Sequence, residues 1–465
     1  MTQLSNSVLR LALVTGFVTV GLFLALRPSS PPQSSPGADQ LALATRLISD
    51  PLLDDAQARY REVLKQGFSA GGHYTSVWIR DFNTFLVAAS RLHGEHHAIR
   101  ESLLTFLDFQ FEDGHIVDGY VSSESALPDI RYITSAAQPE LIAFTNTVES
   151  DQESSLVQAF AKYIQVTGDH SVLAEVRKGE TVLTRLEAAL SYLVDRRSDS
   201  KTGLLWGGTT ADWGDVQPET SPGTILDENS HHAIDIYDNA MFILAMKGFL
   251  TLLPDDDDRR AQWERRLRTH EQRTKDLLWD DTLQKFRPHL YLEASPFAET
   301  IDESPIHFHG GTAVAAQAGL LDSAELDSTF EHLRSGIKRV GAETVGLTLS
   351  PAYPDGVFLN PIMGEHQYQN GGEWDWFGCR WVRALAMGGK ITRAYESLRP
   401  ILLRQLDRGL YEWFTIHGEA RGAAPFKGSA GVCNEAIEDL RTWATVALSH
   451  DRISANLLAN DRSSD

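Results

Sequence analysis

From about Leu41 onward, apolar residues recur three and four positions apart, the spacing of one face of a helix. Segments such as "FNTFLVAASRLHG", "AIRESLLTFLDFQ", "LIAFTNTV", "DQESSLVQAFAKYIQVTGD", "TVLTRLEAALSYLVDRR", "AIDIYDNAMFILAMKGFLTLL" and "NEAIEDLRTWATVALSH" all carry this spacing. The period-2 alternation of strands is scarce. The pattern therefore predicts an all-α chain of about a dozen helices, enough for six hairpins. Gly, Asp or Pro marks most of the gaps between them.

Several of those gaps are short, whereas Leu204 to Ser230, Leu349 to Glu373 and Phe414 to Gly431 are long and rich in Gly, Trp and Asp. Loops of that length inside a compact domain are uncommon unless they are functional. If successive helices pair antiparallel, alternate loops gather at one end, and that end is the expected site. Seven of the ten tryptophans, Trp78, Trp206, Trp213, Trp374, Trp376, Trp381 and Trp413, lie in or beside these loops and the stretch "YTSVWIRDF". A single tryptophan is ordinary core packing. Many of them beside carboxylates suit a pyranose, whose C–H face stacks on an aromatic ring while its hydroxyls demand hydrogen bonds.

The N-terminal part reads differently. Between Arg10 and Arg27 lie 16 uncharged residues, "LALVTGFVTVGLFLAL", followed by "RPSSPPQSSPGADQ". As a helix the run would be about 24 Å long, short of the roughly 30 Å hydrocarbon core but with no clear cleavage site after it. The expected organisation is a signal anchor over 1–27, or a signal peptide if it is cleaved. A Pro/Ser-rich linker follows over 28–40, then one exported domain over 41–465, with the membrane as partner through the apolar segment.

Lys and Arg number 42 against 63 Asp and Glu, a formal charge of −21. Such a field repels phosphate backbones, which excludes nucleic acid as a partner and leaves a neutral substrate untouched. The two cysteines, Cys379 and Cys433, are far apart and have no CxxC spacing. They read as buried free thiols, with a single bridge as the alternative. Oligomeric state is not readable.

"VWIRDF", Val77 to Phe82, resembles the Trp-x-Arg-Asp segment of glucoamylase-type enzymes in the six-hairpin glycosidase superfamily. The resemblance implies an (α/α)6 barrel acting on carbohydrate, in which Trp78 walls the sugar subsite and Arg80 and Asp81 bind distal hydroxyls. A bond between Arg80 and Asp81 would keep both charges from being buried unpaired. "GLLWGGTTADWGDVQPE" is similar to the Trp-x-Asp segment of glycogen-debranching glucosidase domains, which implies Asp215 as general acid beside Trp213. Asp212 and Asp238 are its rivals. "AIDIYDNAMFILAM" resembles that family's Tyr-Asn-Ala helix and implies supporting roles for Tyr237 and Asn239.

"LYEWFTIHGEARGAAPFKGSAGV" parallels the family's base segment and implies Glu412 as general base, with Tyr411 in place of the usual Ser and with Glu419 and Glu435 as competitors. "YQNGGEWDWFGCRW" resembles the superfamily's Asn-Gly-x-x-Trp-x-Trp stretch and adds Asn370, Glu373, Trp374 and Trp376 as sugar-binding candidates. Glu373 and Asp375 there are further carboxylates near the base.

Glycoside hydrolysis needs one protonated and one ionised carboxyl group, and burial against tryptophan favours the first. The resemblance implies an inverting, exo-acting enzyme releasing a glucose-like sugar. The alternatives are a six-hairpin hydrolase or lyase acting on another sugar, such as a mannoside or a uronide, and a non-catalytic carbohydrate-binding envelope protein on the same barrel. In "HFHGG", His307 and His309 stand two apart with no third clustered ligand, so no metal is expected and His309 is placed among the substrate-binding candidates. No other cofactor is expected, because neither GxxxxGK[ST] nor GxSxG occurs.

Overall fold

A computed structural model describes residues 37–461 except 66, 128 and 129. The apolar run and the linker up to residue 36 lie outside the described residues. Among the described residues no helix is long and apolar enough to cross a membrane.

The helices are α1 (Ala38–Ser49), α2 (Pro51–Val63), α3 (Ile79–His93), α4 (His96–Phe109), α5 (Asp151–Thr167), α6 (Val182–Arg196), α7 (Ile236–Leu252), α8 (Arg260–Leu278), α9 (His309–Gln317), α10 (Ser323–Val340), α11 (Asp375–Met387), α12 (Ile391–Arg408) and α13 (Lys427–Asp461). Local chemistry sets several of these limits. Asp50 caps α2 ahead of Pro51, and Asp322 with Glu325 forms a reciprocal capping box on α10.

The odd-numbered helices from α3 to α13 pack each on the next, and α13 packs back on α3, closing a ring. The even-numbered helices from α2 to α12 lie outside it, and α1 rests on α13. This alternation is the (α/α)6 barrel. Inner position explains composition: α7 is apolar nearly all round because neighbours cover it on every side, whereas outer α8 buries only Trp263, His270, Thr274 and Leu278. The ring closes tightly where Gly431 of α13 meets α3, since a Cβ there would lie 2.4 Å from the Cα of Phe85.

Two expectations are corrected. The chain is not purely helical: short strands stitch the loops, and the largest sheet orders β1 (Val77–Trp78), β2 (Gly119–Ser122), β4 (Gln138–Phe144) and β3 (Ile133–Ser135) side by side. "LIAFTNTV" belongs partly to β4 rather than to a helix, because pairing of Leu141 to Phe144 with β2 overrides its helical spacing. Cys379 and Cys433 are not free thiols but a disulfide joining α11 to α13. The two helices are adjacent in the ring, a contact that their distance in sequence concealed.

Candidate active site

Every inner helix begins at the same end of the barrel, and their first residues are tied together there. Arg80 of α3 donates from Nε to Asp151 of α5 at 3.0 Å, and Tyr237 of α7 donates its hydroxyl to the same Asp151 oxygen at 2.7 Å. Gly310 and Gly311 of α9 donate their N–H groups to Asp212 at 2.6 and 2.8 Å, beside Trp213. Trp376 of α11 packs on Phe426, which precedes α13. The convergent N-termini present the positive ends of their dipoles, which favours carboxylates at this end.

The loops expected to line one face do so. Between them opens a cavity of about 110 Å³ lined by Ala70, Tyr74, Trp78, Arg80, Asp81, Trp213, Asp215, Tyr368, Gln369, Trp374, Trp376, Glu412 and Phe426. Trp213, Trp374 and Trp376 form one wall, with ring centroids 4.7 Å (Trp213–Trp374), 5.3 Å (Trp213–Trp376) and 5.9 Å (Trp374–Trp376) apart. Tyr74 stands edge-on to Trp78 at 4.9 Å opposite them.

The two carboxylates assigned to catalysis face this one cavity from distant loops. Glu412 is buried, accepts the Ala423 N–H at 2.9 Å, and accepts the Tyr74 hydroxyl at 3.1 Å on the same oxygen and 3.3 Å on the other. Gly422 has a backbone φ of +71°, and a Cβ there would lie 2.3 Å from Glu412 Oε2, so only glycine lets the strand pass so close. Burial pushes the Glu412 carboxyl above the usual range and the charge of Asp215 adds to this, while the Ala423 and Tyr74 hydrogen bonds oppose it. Asp215 is more open, with its side chain 22% exposed. It accepts Gln369 Nε2 at 2.8 Å and lies 3.9 Å from Arg80 Nη1.

Arg80 and Asp81 are arranged differently from the expected pair. As neighbours on a helix they point in different directions. The guanidinium turns to Asp151, Glu149 and Asp118, the last at 3.8 Å from Nη2. The Asp81 carboxylate lines the cavity with no hydrogen-bond or ion-pair partner among the described residues. Burial raises both Asp81 and Asp118 to about 7, against the opposing pull of Arg80.

Other sequence candidates stand in the framework around the cavity. Asn239 is fully buried and bridges the Leu205 backbone and the Asp235 carbonyl. Asn370 donates to the carbonyls of Tyr353, Met363 and Gly364 and accepts from the Tyr353 N–H. Glu373 accepts from Arg404 at 2.8 Å and from the N–H groups of Glu343 and Thr344. His309 lies 3.0 Å from Ser350 Oγ, stacked on His307, and does not line the cavity. Tyr237 does not line the cavity; it donates to Asp151 and packs on Phe377 behind Trp213.

The rival carboxylates are engaged elsewhere. Asp212 caps α9, Asp238 accepts from Ser150, Asp375 and Glu435 pair with Arg404 and Arg383, and exposed Glu419 pairs with Arg421. Tyr74, Tyr368 and Gln369 also line the cavity and were not anticipated, although they stand at the start of the segments that carry Trp78 and Trp374. It had no signal at all for Asp118 and Glu149, which only the folded ring brings to Arg80.

No family model and no curated protein matches the chain. Solved structures do. The chain is similar to a GH63 mannosylglycerate hydrolase from Thermus thermophilus in complex with glucose, at 16% identity and TM-score 0.56, covering 81% of this chain and 98% of that one. It is also similar to a rhamnosidase from Klebsiella oxytoca with rhamnose bound, at 14% identity and TM-score 0.54, covering 84% of this chain and 63% of that one. A third is a GH78 family rhamnosidase of Bacillus sp. GL1, at 13% identity and TM-score 0.55, covering 83% of this chain and 34% of that one. The chain thus shares the (α/α)6-barrel fold of these solved structures.

Proposed function

We propose that this protein is an exo-acting glycoside hydrolase that removes one glucose-like unit with inversion, using Asp215 as general acid and Glu412 as general base. The observation that carries the reading is that these two carboxylates, from distant loops, share one small cavity walled by Trp78, Trp213, Trp374 and Trp376. A sugar ring stacked on that wall would place its glycosidic oxygen toward one carboxyl and its anomeric carbon toward the other. Asp118, Glu149 and Asp151, which pair with Arg80 of the cavity lining, are buried, and a pocket backed by buried carboxylates favours attack at a chain end. The similar folds include enzymes recorded with glucose and with rhamnose bound, which supports a monosaccharide-sized pocket.

The reading is tested by following the full chain with α- and β-linked glucosides, mannosides and uronides by proton NMR. Release of a single sugar with inverted anomeric configuration is expected. No turnover, with sugar binding intact, would replace the enzyme with a binding protein.

One observation favours a second assignment of roles. Burial raises the Glu412 carboxyl, as a general acid requires, and Asp215 lies 3.9 Å from Arg80 and accepts from Gln369, so this second assignment exchanges acid and base. Tyr74→Phe separates the two. Loss of a hydroxyl that donates to the carboxylate lifts the Glu412 pKa, by about one pH unit for a charged hydrogen bond. If Glu412 is the base, which must be ionised, the acidic limb of kcat/KM against pH moves upward. If it is the acid, the alkaline limb moves upward instead.

Export of the domain is part of the proposal. The apolar run before residue 27 offers the signal or anchor, and the Cys379–Cys433 disulfide suits an oxidising compartment.

A further inference from the structure

The charged groups around the cavity are unevenly matched. Asp81, Asp215 and Glu412 line it, with Asp118, Glu149 and Asp151 immediately beneath. Arg80 is the cation among the lining residues, and its guanidinium is drawn toward Asp151, Glu149, Asp118 and Asp215. Little of that positive charge is left for a ligand.

Asp81 is the exception to this pairing. It is 8% exposed, yet its carboxylate has no hydrogen-bond or ion-pair partner among the described residues and faces the cavity. A buried carboxylate held without a partner is costly, so such a group in a pocket awaits a donor from the ligand. A hydroxyl can donate one hydrogen bond to it. An ammonium group donates more strongly and also relieves the repulsion among the neighbouring carboxylates. A ligand carboxylate adds to that repulsion and meets no Lys or Arg other than Arg80 among the described residues lining the cavity.

We infer that the pocket ranks sugars by charge, holding a ring that carries a protonated amine more tightly than its uncharged parent and excluding a uronic acid, and that Asp81 sets this ranking. The inference rests on the reading of the cavity as a sugar site and removes uronides from the candidate substrates. It makes Asp81 a specificity-determining residue, distinct from the carboxylates that carry the chemistry.

The test is binding to the full chain at pH 7, by calorimetry and by the fluorescence of the cavity tryptophans. The probes are D-glucose and D-mannose, their 2-amino-2-deoxy and 6-amino-6-deoxy forms, and the matching uronic acids. At least one amino form is expected to bind about tenfold or more tightly than its parent, with the uronic acids about tenfold or more weaker. In Asp81→Asn the amine advantage should fall below about threefold while neutral sugars change less, since an amide still accepts a hydrogen bond. Should that variant misfold, the wild-type ranking alone decides. Neutral sugars binding with no preference by charge would overturn the inference and leave the glycosidase reading standing. Failure of every sugar to bind would overturn both.

Discussion

Asp215→Asn and Glu412→Gln are each expected to lower hydrolysis of a glycoside with a poor leaving group by about 10²- to 10⁴-fold, the usual worth of a positioned acid or base. Both substitutions keep the shape and remove the proton chemistry. The amide introduced by Asp215→Asn would keep an acceptor for Gln369 Nε2, and the one introduced by Glu412→Gln would keep an acceptor for the Tyr74 hydroxyl, so the fold should hold. The two variants diverge on a glycosyl fluoride, whose leaving group needs no proton. The variant lacking the acid should recover most of its activity on that substrate, and the variant lacking the base should not. Steady-state rates on a matched pair of aryl glycoside and fluoride check this. Full activity of both variants on every substrate would end the assignment of this pair.

Arg80→Met is the second large effect, and it falls on the fold as well as on activity. Arg80 is 6% exposed and holds Asp151, Glu149 and Asp118 together. Removing one partner from a buried ionic cluster costs about 3–5 kcal/mol, because the remaining charges are left without compensation. Arg80→Lys should recover little, since a single ammonium cannot reach what the planar fork reaches.

The deficit should also depend on pH in a definite direction. Asp81 and Asp118, held at about 7 in the folded protein, bind protons there that the unfolded chain releases near 4. Their contribution to stability is therefore greatest below about pH 4 and is lost as pH rises through 7. Without Arg80 these carboxyls hold their protons to still higher pH, so the variant should lose more relative to wild type at pH 8 than at pH 5.5. Thermal unfolding followed by circular dichroism at the two pH values reads this. An equal deficit at both would show that the cluster is not what the arginine stabilises.

How much of this was written in the chain depends on the range of the interaction. Trp78, Asp81, Asp215, Trp374 and Glu412 stand in short recognisable segments, and the helical spacing placed those segments at loops and helix starts, so their convergence on one end could be anticipated. Asn239, Asn370 and Glu373 sit in equally recognisable segments, but whether such a side chain faces ligand or backbone depends on burial, which residue type does not reveal. Asp118 and Glu149 lie in stretches with no distinguishing pattern, and only ring closure brings them to Arg80. The disulfide was hidden for the same reason: adjacency of α11 and α13 follows from the topology and not from the spacing of the cysteines.

The close meeting of Gly431 with Phe85 bears on how the molecule is made. The first helix of the inner ring leaves the ribosome early, and the helix that completes its packing leaves last. At about 5–20 residues per second, the face of α3 that α13 will cover waits for tens of seconds. No partial ring can be finished ahead of time, so synthesis delivers a nascent chain with an open apolar seam that invites chaperones and proteases. A chain that stops shortly before residue 426 would inherit that seam permanently, losing Phe426 from the flank of the tryptophan wall and the closing helix in one stroke.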